Sequence, residues 1–404
     1  MKPARVAVLG GGLQGACIAL ELACRRIRVD LYEQNELCMK GSSAQSEGKI
    51  HLGFVYANDP TLATARRMVE GARSFAPLMR KWLGAEFDSV PISSPFFYLV
   101  HSQSLLDAEY IEGFLRKVQQ SHADFSARDY FGQDLLAPIR RLSAAERGNL
   151  FDSRQIKAAF QTSEIAIDPE SIAVAIRARL AADPYICVLC GTKVLAVNRN
   201  AEHLTVKVVS AEGARQECYE HVVNALWDGR LAIDAGLGLI PDRHWLFRHK
   251  HFLRLRTKLA SATPSATIVL GPFGDVVDYG TENLFLSWYP LGMRGMSGEL
   301  VPPPVEPLTA AERNLIRTGI FAALSNLVLN LRGIDETAVE TADIRGGYIF
   351  AWGNTDIDVA SSELHRRFEI GPIADGNYQT VDTGKFTMAP FFAMQVARRI
   401  QESL

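Results

Sequence analysis

The apolar positions of this chain change period within its first thirty residues. Val6-Ala7-Val8-Leu9 form a continuous apolar run of strand length, Gly10-Gly11-Gly12-Leu13-Gln14-Gly15 interrupt it, and Ala16, Ala19, Leu20 and Ala23 then recur at helical spacing. The pattern predicts a buried strand, a tight turn and a helix from Leu13 to about Arg25, whose small inner face suits close packing on a sheet. A second strand, Val29-Asp30-Leu31-Tyr32, ends at Glu33.

Farther along, Ala65, Met68, Val69, Ala72 and Phe75 stripe a helix expected over Thr61 to Leu83. Strand is expected over Val90 to Val100 and helix over Ser104 to Gln120. A helix begins near Glu170, after Ile165-Ala166-Ile167-Asp168-Pro169. Strands follow at Ile186 to Leu189, Val194 to Val197 and His221 to Ala225, then a helix from Arg230 to Leu237. From Trp245 to Tyr289 the alternation has period two and is bounded by Gly271-Pro272-Phe273-Gly274 and Asp278-Tyr279-Gly280, which predicts an antiparallel sheet. A stiff connector, Val301-Pro302-Pro303-Pro304, leads to a helix over Thr309 to Leu331, with Thr309 and Glu312 spaced as a capping box. Strands at Tyr348 to Trp352, Phe368 to Ile370 and Tyr378 to Val381 and a helix from Ala389 close the chain.

Against this pattern, Gly10, Gly12 and Gly15 fit G-x-G-x-x-G between a strand and a helix. The first glycine permits the turn, the second lets backbone approach a pyrophosphate and the third lets helix and strand pack. The phosphates would sit on the free N–H groups of the helix N-terminus. Glu33, 18 residues after Gly15, is placed to accept hydrogen bonds from an adenosine ribose. A bound dinucleotide is the expectation, an empty α/β turn its alternative. The glycine- and serine-rich stretch 41–56 is too long for a simple connector, and such loops are usually functional.

A chain of 404 residues is expected to divide into two domains. Its net charge of −2 gives no basic excess for nucleic acid, and no apolar run is long enough to span a bilayer. Residues 1–5 lead directly into the first strand, leaving no room for a signal peptide, so a cytoplasmic location is expected. Of six cysteines, Cys187 and Cys190 form a C-x-x-C, but in a strand these positions face opposite ways, and buried packing is the preferred reading over metal or disulfide. No metal site is expected.

Gly41-Ser42-Ser43-Ala44-Gln45-Ser46 with Lys49-Ile50-His51-Leu52-Gly53 resembles the second flavin loop of the D-amino-acid oxidase superfamily of FAD-dependent oxidoreductases, nearest its glycerol-3-phosphate dehydrogenase and L-2-hydroxyglutarate oxidase branches. Asp168-Pro169, Gly191-Thr192-Lys193-Val194 and Val222-Val223-Asn224-Ala225 are similar to its mid-chain blocks. Ile344-Arg345-Gly346-Gly347, Ser362-Glu363-Leu364-His365 and Thr383-Gly384-Lys385-Phe386-Thr387 are similar to its ending, so the likeness spans most of the chain. There are departures: the glycine that commonly closes the Asn-Ala block is displaced to Gly229, and Gly346 stands where a proline often follows the arginine.

The resemblance implies an α/β flavoprotein with a Rossmann-like FAD-binding domain (1–85, 150–235 and 340–404) and a mostly antiparallel α+β substrate domain (86–149 and 236–339). Gly10, Gly12, Leu13, Gln14 and Gly15 would hold the pyrophosphate and Glu33 the ribose. Ser42, Ser43 and Ser46 would bond phosphate or ribityl groups, with loop self-capping as their alternative. The Val194 backbone would face adenine, and Asn224 and Ala225 would pass near the cofactor. Gly384, Lys385, Phe386 and Thr387 would place N–H groups at the flavin edge where negative charge develops.

His51 is the candidate to orient a hydroxyl or take its proton. Arg345 is the candidate to clamp a carboxylate or phosphate, or else forms a salt bridge. The basic strand Arg248, His249, Lys250, His251, Arg254, Arg256 and Lys258 could draw in an anion, although a solvated face is the commoner reading. Trp288, Tyr289 and Tyr279 could wall a pocket or merely pack. The implied activity is oxidation of a small, anionic CH–OH compound by hydride transfer to flavin N5, with oxygen, quinone or a protein as acceptor. An amine or amino-acid oxidase and a non-catalytic FAD-binding subunit are the alternatives.

Overall fold

A computed structural model of the protein describes residues 5–122, 130–200, 203–260, 263–334, 339–359 and 361–404. The entry of residues 1–4 into the first strand, which bears on the expected absence of a leader, lies outside them. The early period change becomes strand Arg5–Leu9, helix Leu13–Cys24 and strand Arg28–Tyr32. These strands sit at the centre of a six-stranded sheet ordered Gly371–Asp375, Tyr378–Asp382, His221–Asn224, Arg5–Leu9, Arg28–Tyr32, Ile186–Leu189. All neighbours are parallel except the first pair, a hairpin. The carboxyl ends of the parallel strands therefore share one edge, and Gly10, Glu33, Ala225 and Thr383 follow those ends. In open α/β sheets this edge is where ligands bind.

Helices Leu13–Cys24, Ala63–Leu83 and Ala389–Ser403 cover one face of this sheet and bury a core that includes Ile18, Leu22, Met68, Phe75, Phe392 and Val396. On the other face a three-stranded antiparallel sheet, Lys193–Arg199, Leu204–Ser210 and Gly213–Tyr219, packs Val197, Val206 and Val208 against Ala7, Leu9 and Tyr32. The alternating region forms the expected antiparallel sheet. Trp245–Thr257 pairs along its whole length with Val339–Trp352, and on its other edge with Asn283–Trp288 and Met293–Ser297. Helix Ala310–Ser325 covers this nine-stranded sheet, burying Ile316, Ile320 and Leu324 against Leu253, Leu284 and Leu286.

Several expectations need correction. The helix expected to reach Leu331 ends at Ser325; Leu327, Val328 and Leu331 then turn inward to fill the second core, a tertiary demand that overrides helical spacing. Phe368 to Ile370 is not strand: the strand begins at Gly371, because Arg367 is buried and bonded to Leu364 and Phe350 carbonyls, which holds the preceding segment out of any ladder. Ile156–Gln161 and Val339–Trp352, given by sequence largely to the nucleotide-binding part, pair in the large sheet. The strand Ile186–Leu189 is an edge strand, so Cys187 is exposed instead of packed, while Cys190 is half-buried and packs against the main core; all six thiols are free. Among the described residues no helix is long and apolar enough to cross a membrane, and no cluster of His, Cys, Asp and Glu is placed to hold a metal ion.

Candidate active site

The motif glycines meet distinct steric demands. Gly10 leaves the first strand with φ +100°, and a Cβ there would stand 2.7 Å from the Ala225 carbonyl oxygen. A Cβ on Gly15 would lie 1.9 Å from the Gly10 carbonyl oxygen, so only glycine lets the helix rest on the strand. Gly12 caps the helix, and Ser43 Oγ accepts the Leu13 N–H at 2.8 Å. Glu33 accepts the Gly11 N–H at 3.0 Å on one carboxylate oxygen and the Asn35 N–H at 2.8 Å on the other. A carboxylate has about four acceptor sites, so it is fixed in place with capacity left for a sugar hydroxyl.

From this turn a cavity of about 720 Å³ extends to the C-terminal block, lined by Gly10, Gly12, Glu33, Ser42, Ala225 and Lys385 among others. Gln14 ties the two ends of the chain: its amide donates to the Ala389 carbonyl at 3.0 Å and accepts the Thr383 hydroxyl at 3.1 Å. Gly384 turns with φ +61° against Ile370, and Phe386 stacks on Phe75 with ring centroids 5.8 Å apart. Thr387 reaches across to the histidine segment, where its hydroxyl accepts the His51 N–H at 2.8 Å and donates to the Lys49 carbonyl at 3.1 Å.

His51 is 3 % exposed, lines the cavity and packs its ring near Tyr56. Its Nδ1 lies 3.7 Å from Glu164 and its Nε2 3.8 Å from Glu47. Burial lowers the imidazole's pKa, with Glu164 opposing, so the ring is neutral at pH 7. Glu164, wholly buried, is pushed up by burial but held below its usual range by His51 and Lys49. Several cations line the same cavity. Lys49 Nζ contacts Thr267 and lies 2.8 Å from Asp275. Lys250 Nζ donates to Ser287 Oγ at 3.2 Å, and burial lowers its pKa. Arg248 Nη1 donates to Tyr289 Oη at 3.0 Å and to Asp356 at 3.1 Å. Lys385 is lowered as well: burial, then the neighbouring Arg367, bring its ammonium down to about 7.

The residues expected from sequence are distributed unevenly around this cavity. Ser46 lines it but bonds the Ser43 carbonyl and the Gly48 N–H, the self-capping alternative. Val194 sits in the three-stranded sheet opposite Val208. Asn224 turns away from the cavity: its amide donates to the Arg230 carbonyl, Asp234 and Tyr378, leaving Ala225 on the wall. Arg345 touches the cavity, yet its guanidinium is paired with Glu170 and Asp343. The solvated reading of the basic strand holds for Arg256, while Arg248 and Lys250 line the cavity. Tyr289 is on the wall, Trp288 packs on the second core, and Tyr279 donates to the Glu47 carbonyl at 3.0 Å. Sequence reasoning missed Arg367, Asp275, Glu47, Glu164 and Tyr56. Tyr56 and Glu47 flank the histidine block and were open to suspicion; the others reach it from distant elements.

The model of the DAO family, FAD dependent oxidoreductase, matches residues 5–278. The chain belongs to this family. As a DAO-family protein it is an FAD-dependent oxidoreductase. Its fold is shared with glycine oxidase from Geobacillus kaustophilus (TM-score 0.70, 15% identity, covering 99% of this chain and 95% of that one). It is also shared with L-alpha-glycerophosphate oxidase from Mycoplasma pneumoniae, solved with FAD bound (0.67, 14%, 99% and 95%). Iminodiacetate oxidase from Chelativorans sp. BNC1 is a third such structure (0.66, 15%, 98% and 95%). No curated protein matches in sequence. The residues present fit FAD: the glycine cradle that a Cβ would fill, the anchored Glu33 and the glycine turn at 384 all open on one cavity.

Proposed function

We propose that this DAO-family enzyme oxidises a small anionic hydroxy compound at its CH–OH carbon. The observation that carries the reading is His51, a buried, neutral imidazole fixed through its backbone by Thr387 and lining a cavity that Arg248, Lys250 and Lys385 also line. FAD, when bound, supplies the acceptor for the hydride, through flavin N5. The protein supplies the rest. His51 takes the hydroxyl proton, and Arg248 and Lys250, with Lys385, pair with the anionic group. Gly10, Gly12, Leu13, Gln14, Glu33, Ser42 and Ser43 would hold the dinucleotide, and the 384–387 turn would offer its N–H groups to the flavin.

A second reading, oxidation of an amine or amino acid, is favoured by one observation: a neutral imidazole can equally take a proton from a substrate ammonium. Anaerobic bleaching of the flavin by a panel of hydroxy acids, polyol phosphates and amino acids tests both. Bleaching by hydroxy compounds alone supports the first reading, and bleaching by amino acids alone overturns it.

In this arrangement the anion clamp is Arg248, not Arg345. Arg248→Leu is expected to raise KM for the bleaching substrate at least tenfold, and Arg345→Leu to change it less than about twofold, by steady-state kinetics. Lys385 adds a pH dependence. Its free-enzyme pKa of about 7 lies below the usual lysine value of 10.5, so above pH 7 it is largely neutral. An anion bound beside it favours the charged form and raises that pKa. Binding then takes up a proton, and KM should rise by up to about tenfold per pH unit above pH 7 while staying flat below it. Lys385→Met should flatten the profile.

A further inference from the structure

We propose that Glu164 is the positioning residue for His51: it orients the imidazole, fixes its tautomer and supplies the counter-charge to the imidazolium that forms when His51 takes a proton. The inference rests on the reading of His51 as base.

The geometry is that of a built carboxylate. Glu164 has no exposed surface, and both its oxygens are engaged: the Tyr98 hydroxyl donates to Oε1 at 2.5 Å and the Leu52 N–H donates to Oε2 at 2.6 Å. Ionising a carboxyl in such a place is costly unless a cation or strong donors compensate. Here the two donors hold the carboxylate rigidly, with Oε1 3.7 Å from His51 Nδ1. That nitrogen is buried and has no hydrogen-bond partner among the described residues, so a small ring movement would bring it onto Glu164 Oε1. Such contacts tighten when substrate closes the site. Because Leu52 follows His51 in the chain, one carboxylate grips the backbone beside the histidine and faces its ring, while Thr387 holds the His51 N–H from the C-terminal block.

With Nδ1–H directed to Glu164, Nε2 is the free base. The other groups facing His51 are Glu47 at Nε2, Tyr56 against the ring, and Lys49 and Lys385, whose charges oppose protonation. Glu164 is thus one of two carboxylates working against three unfavourable influences: burial and two lysines. The proton moves from substrate hydroxyl to Nε2, the ring becomes cationic, and Glu164 stays ionised throughout, as an orienting carboxylate does.

The test uses the FAD-loaded enzyme with the substrate found by flavin bleaching, and histidine NMR titration as a readout independent of turnover. Glu164→Gln keeps the shape and removes the charge. Its expected result is a His51 midpoint lowered by about one to three pH units. The acid limb of kcat/KM should move down with it, the plateau rate of flavin reduction should fall about 10- to 1000-fold, and KM should change little. In a His51→Asn background the same substitution should have almost no further effect. If Glu164→Gln does not fold, Glu164→Asp carries the test, since it keeps the charge but withdraws it from Nδ1, and should shift midpoint and plateau in the same directions by less. Wild-type midpoint and plateau in the folded variant would overturn the proposal, as would equal losses with and without His51. A wild-type reduction rate in His51→Asn would instead overturn the reading of His51 itself, and with it this one.

Discussion

Gly15→Ala is expected to yield no yellow, folded protein. Its Cβ would sit 1.9 Å from the Gly10 carbonyl oxygen and 3.3 Å from Val8 Cγ1, so the helix could not rest on the first strand. The obstructing atom is backbone, and it cannot swing aside: Gly10 is itself pinned, because its N–H donates to the Tyr32 carbonyl at 2.9 Å and its Cα faces the Ala225 carbonyl. Separating helix from sheet would open the core around Ala16, Ile18 and Leu20, all essentially without exposed surface, and losses above about 4 kcal/mol are typical when a core is disrupted this way. Gly12→Ala is the control that separates folding from cofactor binding. There the new Cβ meets only Ser43 Oγ, at 3.1 Å, and a serine hydroxyl can rotate away. This variant should melt like the wild-type apoprotein but lose flavin on gel filtration and gain little thermal stability from added FAD, whereas the wild type gains by mass action. Equal flavin content in Gly12→Ala and wild type would show that backbone does not approach the pyrophosphate there.

The contrast between these two glycines explains what could be read from the chain alone. A glycine turn between a strand and a helix is local covalent geometry, and so is the Thr309 capping box, in which the Thr309 hydroxyl accepts the Glu312 N–H at 3.2 Å and Glu312 reaches back to Thr309 at 2.9 Å. Both were legible. Polar side chains are decided by competition among partners that are distant in sequence, and that is where sequence reading failed. For Arg345 the sequence left an anion clamp and a salt bridge open, and only the fold brings up Glu170, at the start of a helix, to pair with the guanidinium. Asn224 ends the strand that leads to the cavity, yet Asp234, ten residues on in the helix Arg230–Gly236, captures its amide with Tyr378. Conversely, the period-two alternation around Arg248 and Lys250 foretold a sheet without telling which face was wet. At these two residues the strand edges are taken by Val339–Trp352 and Met293–Ser297, and the side chains are held on the cavity by partners distant in sequence, Tyr289 and Asp356 for Arg248 and Ser287 for Lys250.

His51→Asn is expected to slow anaerobic flavin reduction by about 10²- to 10⁴-fold, the usual contribution of a positioned general base. Asparagine occupies much of the imidazole's space and can still meet the Thr387-held backbone, so folding and flavin content should survive. The His51 N–H to Thr387 bond and the Leu52 N–H to Glu164 bond do not involve the ring. The loss should therefore fall on the reduction rate, with substrate affinity set by Arg248 and Lys250 nearly unchanged, which identifies an interaction made in the transition state. The pH dependence supplies the sign. Burial lowers the His51 pKa below the usual 6.5, so the base is ready at neutral pH and is lost only on acidification, and the wild-type rate should fall below that lowered midpoint. In His51→Asn the acid limb should vanish, leaving a low, flat profile on that side. If the limb persists unchanged with the rate merely reduced, the titrating group is Glu47 or another carboxylate of the cavity, and the histidine serves only to shape it.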